Sequence, residues 1–531
     1  MGHEANVRSI QALEKQIEEG KGDTFELKRA RNSLLNISTR VPPEILGDIF
    51  AWTLVRDPVY SMDYSGYCGY FEGFRKGSFN FLLVCHHWFE VASRTPELWS
   101  FWGNTLQDWK KRHRCWIGPA PLDLVLDGHI SDPDILFDES LQNAVRSYVL
   151  QDTVRQVHLS STSSTKRDAM TPIISSLTPT DEGGQNENIE SIVLWAQIFS
   201  STDVSNFFAR SRLSRLRLLC LSGSIHLSSW GHLAPQTTLL TTLSLDISMP
   251  PPPSSPIPVA RLFSILTSNP NLQKLRLSGA ALPNDAARST FDVQLRHLKI
   301  LSLSGDPHNL LELLHRLILP ETLDDMDLTG SGPAAENISQ TLAPYVQDYF
   351  RRSHRFQDSL DLSFFSGYSC VAISVGVVCA GQELPRVSLT AVVNLPLNAL
   401  ERLLISLIAL TPRERVVRFG GGIGMKPPEE VFPMLPNIRI LRLSEVVLSE
   451  GFLQPNPYGP HANTKLLPSL ESLCLWGVTN DSWSHLTAYL AHQTSGGQAI
   501  SLEMFGQSPY MSPEVVNEIN GLVNKFTRGC R

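Results

Sequence analysis

Apolar residues are spaced in three different ways along the chain. In residues 1–40, Val7, Ile10, Leu13 and Ile17, and then Leu27, Leu34 and Leu35, recur at helical and partly heptad intervals with charges of both signs between them. Gly20-Lys21-Gly22-Asp23 interrupts the pattern, so two short helices are expected. Each holds fewer heptads than the roughly three that define a coiled coil. The segment is therefore coiled-coil-like, with two alternatives open: helices that pack on one another and helices that dimerise.

From Pro43 the spacing is helical throughout. Pro43 suits a first turn, where its missing N–H would have no partner, and Ile45, Leu46, Ile49, Phe50 and Leu54 then share one face. An insert over 51–78, rich in Gly and Tyr and without helical period, reads as an extruded loop. Phe81, Val84, Cys85, Trp88, Val91 and Ala92 resume the helical spacing. Thr95-Pro96-Glu97 then supplies an N-cap, a proline at N1 and an acid in the first turn, ahead of Leu98 and Trp99. Three short packed helices are expected over 41–104, with Trp88 substantially buried.

From residue 117 to 531 short runs alternate with period two, and the runs repeat. The motif apolar-x-x-apolar-x-apolar, often followed by Ser-Gly, starts clearly at Leu216, Leu272, Leu298, Leu323, Ile438 and Leu470. Degenerate copies start at Pro121, Val154, Ile189, Leu240, Gln357, Leu384, Glu414 and Gly497. The mean spacing of about 29 residues lies at the upper edge of the leucine-rich-repeat range. Helical stretches such as "NLLELLHRLIL" and "LNALERLLISL" fall between the runs. The strands resemble leucine-rich repeats, which implies an irregular α/β solenoid with a parallel sheet. Ser-Gly mostly stands where those repeats carry Asn or Cys.

Alternation sends Leu275, Leu301 and Leu473 to the core and the residues between them to the concave sheet face. The outward positions are Lys274, Arg276, Asp325, Asp327, Asp361, Arg386, Arg418 and Arg442. Taken in repeat order, the aspartates should form one patch and Arg386, Arg418 and Arg442 a second, basic one. These eight are the candidate substrate-binding residues for a protein partner.

Composition narrows the classes. A chain of 531 residues with 42% apolar content is too long for one compact core and too apolar for extensive disorder. A net charge of -7 and a pI near 6.1 give no electrostatic reason to expect nucleic acid or an anionic membrane, so a protein partner is the default. The eight cysteines include no C-x-x-C pair, and the first twenty residues lack the apolar core of a signal peptide. Free thiols in a cytoplasmic or nuclear setting are expected. The longest uncharged run, Ser369 to Gly381, falls short of the roughly 20 residues that span a bilayer and, being rich in β-branched residues, reads as buried sheet.

Val41-Pro42-Pro43-Glu44-Ile45-Leu46, Ile49-Phe50, Leu83-Val84-Cys85 with Trp88, Ala92, Thr95-Pro96 and Leu98-Trp99-Ser100 together resemble the F-box of large fungal families. In that family a proline-rich start, a V-C-x-x-W helix and an S-T-P-x-L-W turn recur. Two departures stand out: His86-His87 occupies the place of the usual Arg, and 28 residues separate the two halves. The resemblance implies a small three-helix F-box module that docks on the Skp-type adaptor of a cullin ubiquitin ligase, while the rest of the chain recruits a substrate. Adaptor contacts carry over to Pro42, Pro43, Ile45, Leu46, Leu83, Val84 and Trp99. The implied role is substrate recognition without chemistry. Its rivals are a scaffold acting without the ligase, and a hydrolase or transferase hidden in the solenoid.

No candidate chemistry displaces this reading. Cys85, His86 and His87 are consecutive, so on a helix they point about 100° apart and cannot converge on one zinc ion. No base or orienting group is nominated for a Cys-His pair. "GGGIGMK" at 420–426 lacks Gly-Lys-Ser/Thr and reads as a turn after a strand. "MPPPPSSPIP" at 249–258 reads as an extended loop, with a ligand for proline-reading domains as the alternative. Asp324, Asp325 and Asp327 lack calcium-loop spacing. No catalytic residue, cofactor or metal is expected.

Overall fold

Two short helices separated by glycines begin the chain in the computed structural model, as the interrupted pattern requires. The structure describes residues 2–20, 22–35, 41–53, 86–95, 98, 101–103, 121–127, 139–150, 153–161, 171–179, 186–198, 201–224, 237–247, 257–279, 291–321, 323–331, 335–353, 360–366, 370–377, 386–392, 416–422, 435–444, 467–478, 483–495, 497–506 and 510–529. They divide into two units, Met1–Leu213 and Ser214–Arg531.

In the first unit, α1 (Gly2–Glu18) and α2 (Thr24–Leu35) pack on each other with Ile10, Leu13, Ile17 and Leu27 half-buried. Gly20 (φ 66°) and Gly22 (φ 93°) supply the left-handed backbone between them, which costs glycine least. Next, α3 (Pro43–Thr53) and α4 (His86–Ser93) share a small core of Leu46, Phe50, Val91, Ala92 and Leu98. Trp88 packs on it with its ring 5.0 Å from that of Phe50 and is largely buried, as expected. Gly47 lets α3 approach the following turn, since a Cβ there would lie 2.7 Å from Thr95 Oγ1. The Thr95 hydroxyl donates back to the Val91 carbonyl (2.9 Å) at the end of α4. The insert, Leu83, Val84, Trp99 and most of the expected third helix lie outside the described residues.

The chain then turns to sheet: β1 (Phe101–Gly103), unforeseen in the sequence, β2 (Leu122–Asp127), β3 (Val154–Ser161) and β4 (Ser191–Ile198) are parallel. They alternate with α5 (Glu139–Leu150), α6 (Thr171–Leu177) and α7 (Ser201–Arg210).

The second unit continues the alternation with β5 (Leu218–Ser224), β6 (Thr242–Ile247), α8 (Val259–Ser268), β7 (Lys274–Gly279), a short pair β8 (Val293–Gln294) and β10 (Leu317–Ile318), β9 (Ile300–Gly305), α9 (Pro307–Arg316), β11 (Asp325–Gly330) and α10 (Ile338–Arg352). Then come β12 (Leu360–Ser366), β13 (Cys370–Val377), β14 (Arg386–Val392), β15 (Val416–Gly422), β16 (Ile440–Ser444), β17 (Ser472–Trp476), α11 (Trp483–Thr494), β18 (Ser501–Phe505), α12 (Pro513–Leu522) and β19 (Lys525–Gly529). Each of the fourteen motif starts lies within four residues of the beginning of a strand. The fold is a mixed α/β, solenoid-like repeat on a mainly parallel sheet, with Leu275, Leu301 and Leu473 fully buried as the alternation required.

One turn recurs at the start of the repeats. The motif's first residue donates its amide to the carbonyl three residues earlier, as in Leu272 to Asn269 (3.1 Å), Leu298 to Leu295 (3.2 Å) and Leu470 to Leu467 (3.2 Å). The next amide bonds to the preceding repeat: Gln273 to Thr241, Lys299 to Gln273, Asp324 to Lys299. Asn269 ties two repeats together. Its Oδ1 accepts from Leu240 N (2.8 Å), and its Nδ2 donates to the carbonyls of Thr237 (2.7 Å) and Ile265 (2.8 Å).

Among the described strands, the sheet departs from repeat order around β13. β13 is antiparallel to both β12 and β14, β14 pairs with β11, and β12 pairs with β15. The spatial order is therefore β11, β14, β13, β12, β15. Only residues 367–369 join β12 to β13, and 378–385 join β13 to β14, whereas a parallel return needs a crossover of about a dozen residues. Within the apolar run, Cys370–Val377 is thus a returning strand, and the three-strand meander enters the sheet as a block.

Candidate functional site

The sheet face opposite the buried leucines carries the side chains available to a partner. Lys274 is exposed and Arg276 half-buried on β7; Asp325 and Asp327 are half-buried on β11, where Ser302 Oγ donates to Asp327 Oδ2 (3.4 Å). Arg386 stands opposite Asp325 in the β11–β14 register. Asp361 stands opposite Arg418 across β12 and β15, and Arg442 follows on β16 opposite Gly420.

This corrects the expected segregation of charge. Because the meander exchanges the places of β12 and β14, Arg386 joins the β11 aspartates and Asp361 joins the later arginines. Both patches therefore mix signs. Asp361 is half-buried, and burial pushes its pKa up while the guanidiniums of Arg442 and Arg418 pull it back down. Arg418 is half-buried and Arg442 exposed.

Further along the same row, Arg442 is in register with Cys474 on β17, and Cys474 with Glu503 on β18. The Cys474 thiol lies 3.7 Å from both Ser472 Oγ and Glu503 Oε2. Burial raises its pKa, so it is a poor nucleophile. Two residues on, Trp476 and Phe505 stack at 5.2 Å with planes 20° apart. Gly477 (φ 60°) and Gly506 (φ 80°) turn the chain directly after these rings. Sequence reasoning missed this aromatic pair because only the second and fourth places after each motif start were counted; Trp476, the sixth place after Leu470, points the same way. A polar cleft of about 490 Å³ runs along the leading ends of β7, β9 and β11, between Asn271, Gln273, Arg296, His297, Leu298, Lys299 and Asp324.

The other candidate surface is on α3. Pro42 and Pro43 are exposed and Ile45 is 50% exposed. Leu46 is not available: it is 3% exposed in the core shared with α4. The outward apolar partner of Ile45 is instead Ile49, one turn later and 48% exposed. His86 and His87 diverge as their spacing required. His86 Nε2 pairs with Glu90 Oε1 (2.9 Å) at the surface, while His87 is half-buried.

No protein-family model matches the sequence, and no curated protein matches it. Among solved structures, a chain of the crystal structure of the Rad7 and Elc1 complex in yeast is similar, with 13% identity over 74% of this chain and 90% of that chain and a TM-score of 0.25.

Proposed function

We propose that this protein is the substrate-recognition subunit of a Skp-cullin-F-box type ubiquitin ligase, with an F-box at 41–104 and a leucine-rich-repeat-like solenoid beyond it. The observation that carries the reading is the outward pair Ile45 and Ile49 on α3. Two large aliphatic side chains, behind exposed Pro42 and Pro43, face solvent on a helix whose other side is committed to α4. An isolated exposed aliphatic needs no explanation, but two at i and i+4 within an F-box-like segment form the stripe a partner helix would cover. The open face of the repeat sheet, with charges of both signs and an aromatic pair, suits a protein substrate.

In this reading the chain performs no covalent step. It raises the effective concentration of the substrate near the ubiquitin-transfer enzymes carried by the cullin. The test is capture of a purified Skp-type adaptor by the full chain and by an Ile45→Asp/Ile49→Asp variant. Both residues point outward, so the variant should melt like the parent while adaptor capture falls by at least about tenfold. Equal capture by parent and variant, or none by the parent, would leave a scaffold acting without the ligase.

A further inference from the structure

We propose that β12, β15 and β16 form a carboxylate clamp, in which Arg418 and Arg442 hold an Asp or Glu side chain of an extended partner segment while a large apolar side chain of that segment rests on Trp476 and Phe505. The inference rests on the reading of this face as the substrate-binding face and narrows it to a chemistry.

The two guanidiniums come from adjacent strands with an offset of two residues, since Arg418 is opposite Ile440 and Arg442 opposite Gly420. At strand spacings of about 4.8 Å and about 3.3 Å per residue, their Cα atoms are roughly 8 Å apart, a separation that long side chains close around one acid. Among the described residues neither guanidinium has a hydrogen bond or ion pair; Asp361 acts on both only at longer range. Gly420 forms the floor between them. A Cβ placed there would lie 3.7 Å from Ser363 Cβ and 3.9 Å from Arg442 Cβ, so the glycine leaves a notch between two side chains. Its backbone is not left-handed, so the notch can be filled without strain.

Charge selects the occupant. With Asp361 counted as ionised, Arg418 and Arg442 leave an excess of one positive charge, which matches a singly charged carboxylate better than a doubly charged phosphate. The aromatic pair sets the second position. Trp476 lies one strand over and two residues on from Arg442, about 8 Å away, and Phe505 one strand further, at about 12 Å. An extended segment rising about 3.3 Å per residue reaches this ledge with one to three residues between acid and apolar side chain. Glu503, two residues before Phe505 on β18, disfavours a second acid there.

Anisotropy of the full chain with fluorescein-labelled peptides in a Gly/Ser background tests this. The peptides carry Glu-Ser-Ser-Phe, Lys-Ser-Ser-Phe, Glu-Ser-Ser-Ala or phosphoserine-Ser-Ser-Phe. The Glu-Phe peptide should bind at least about tenfold more tightly than the Lys and Ala versions and lose affinity at high salt. Arg418→Glu/Arg442→Glu should abolish that preference, and Gly420→Leu should weaken binding by about tenfold, with melting temperatures unchanged. Gly420→Ala, which adds only a methyl, should give a smaller loss in the same direction. Equal binding of the Lys and Glu peptides, tighter binding of the phosphopeptide, or unaltered binding by the Arg variant would each overturn the clamp. Adaptor capture on the same samples separates the two ideas: lost capture with intact peptide selectivity overturns the ligase reading alone, and intact capture without selectivity overturns the clamp alone.

Discussion

His158 gives the sharpest test of the core of the first unit. It sits on β3 with Nε2 2.8 Å from Ser191 Oγ on β4, and burial lowers its pKa from 6.5 to about 3. A buried imidazole is held neutral because its charged form would lose solvation. The unfolded chain takes up the proton near pH 6.5, and the folded chain only near pH 3. Stability from this group is therefore complete above the unfolded value and declines as pH falls through 6.5 towards 3. Each pH unit in that window costs about 1.4 kcal/mol, so at pH 5 the loss is about 2 kcal/mol. His158→Gln keeps a polar side chain of similar length but removes the titration. The Asp123–Arg155 ion pair nearby is common to both proteins and cancels in the comparison. Hydrogen exchange of peptides covering 154–161 and 191–198, corrected for intrinsic rates, reads the local opening free energy. The advantage of the parent over the variant should shrink by about 2 kcal/mol between pH 7.5 and pH 5. A difference that stays constant across that range would show that the imidazole is solvated and the account of its environment wrong.

Two further outcomes follow from the repeat architecture. Asn269→Ala removes three buried hydrogen bonds and leaves Leu240 N and two carbonyls without that partner, so it should cost about 2–4 kcal/mol by urea denaturation; a cost near zero would mean that water replaces the amide. Leu473→Ala should cost about 2–5 kcal/mol by the same measurement, because the side chain is fully enclosed between β16 and β18, and a surface-like cost would place β17 in the wrong register.

Strands and core leucines were legible in the sequence because alternation is a property of the covalent chain. Once "LQKLRLSG" is extended, Leu275 and Leu277 must share a face and Lys274 and Arg276 the other, whatever lies beside them. The helical period of α3 likewise announced an apolar stripe, but not which part of it is spent. Leu46 and Ile49 both belong to that stripe, and only the position of α4 buries one and leaves the other outside. The same limit governs the sheet. Asp361 reads as the neighbour of Asp325 and Asp327 in repeat order, yet it stands opposite Arg418, because short links force β13 to return antiparallel and carry β14 to the side of β11. The role of Asn269 was hidden for a related reason: its bond to the Ile265 carbonyl is local to α8, but those to Thr237 and Leu240 reach about thirty residues back, and only the folded repeats bring those groups within reach. Local spacing decides which way a side chain points from its own backbone; which charges meet across strands is decided by pairing between segments distant in sequence, through connection lengths and the burial of whole faces.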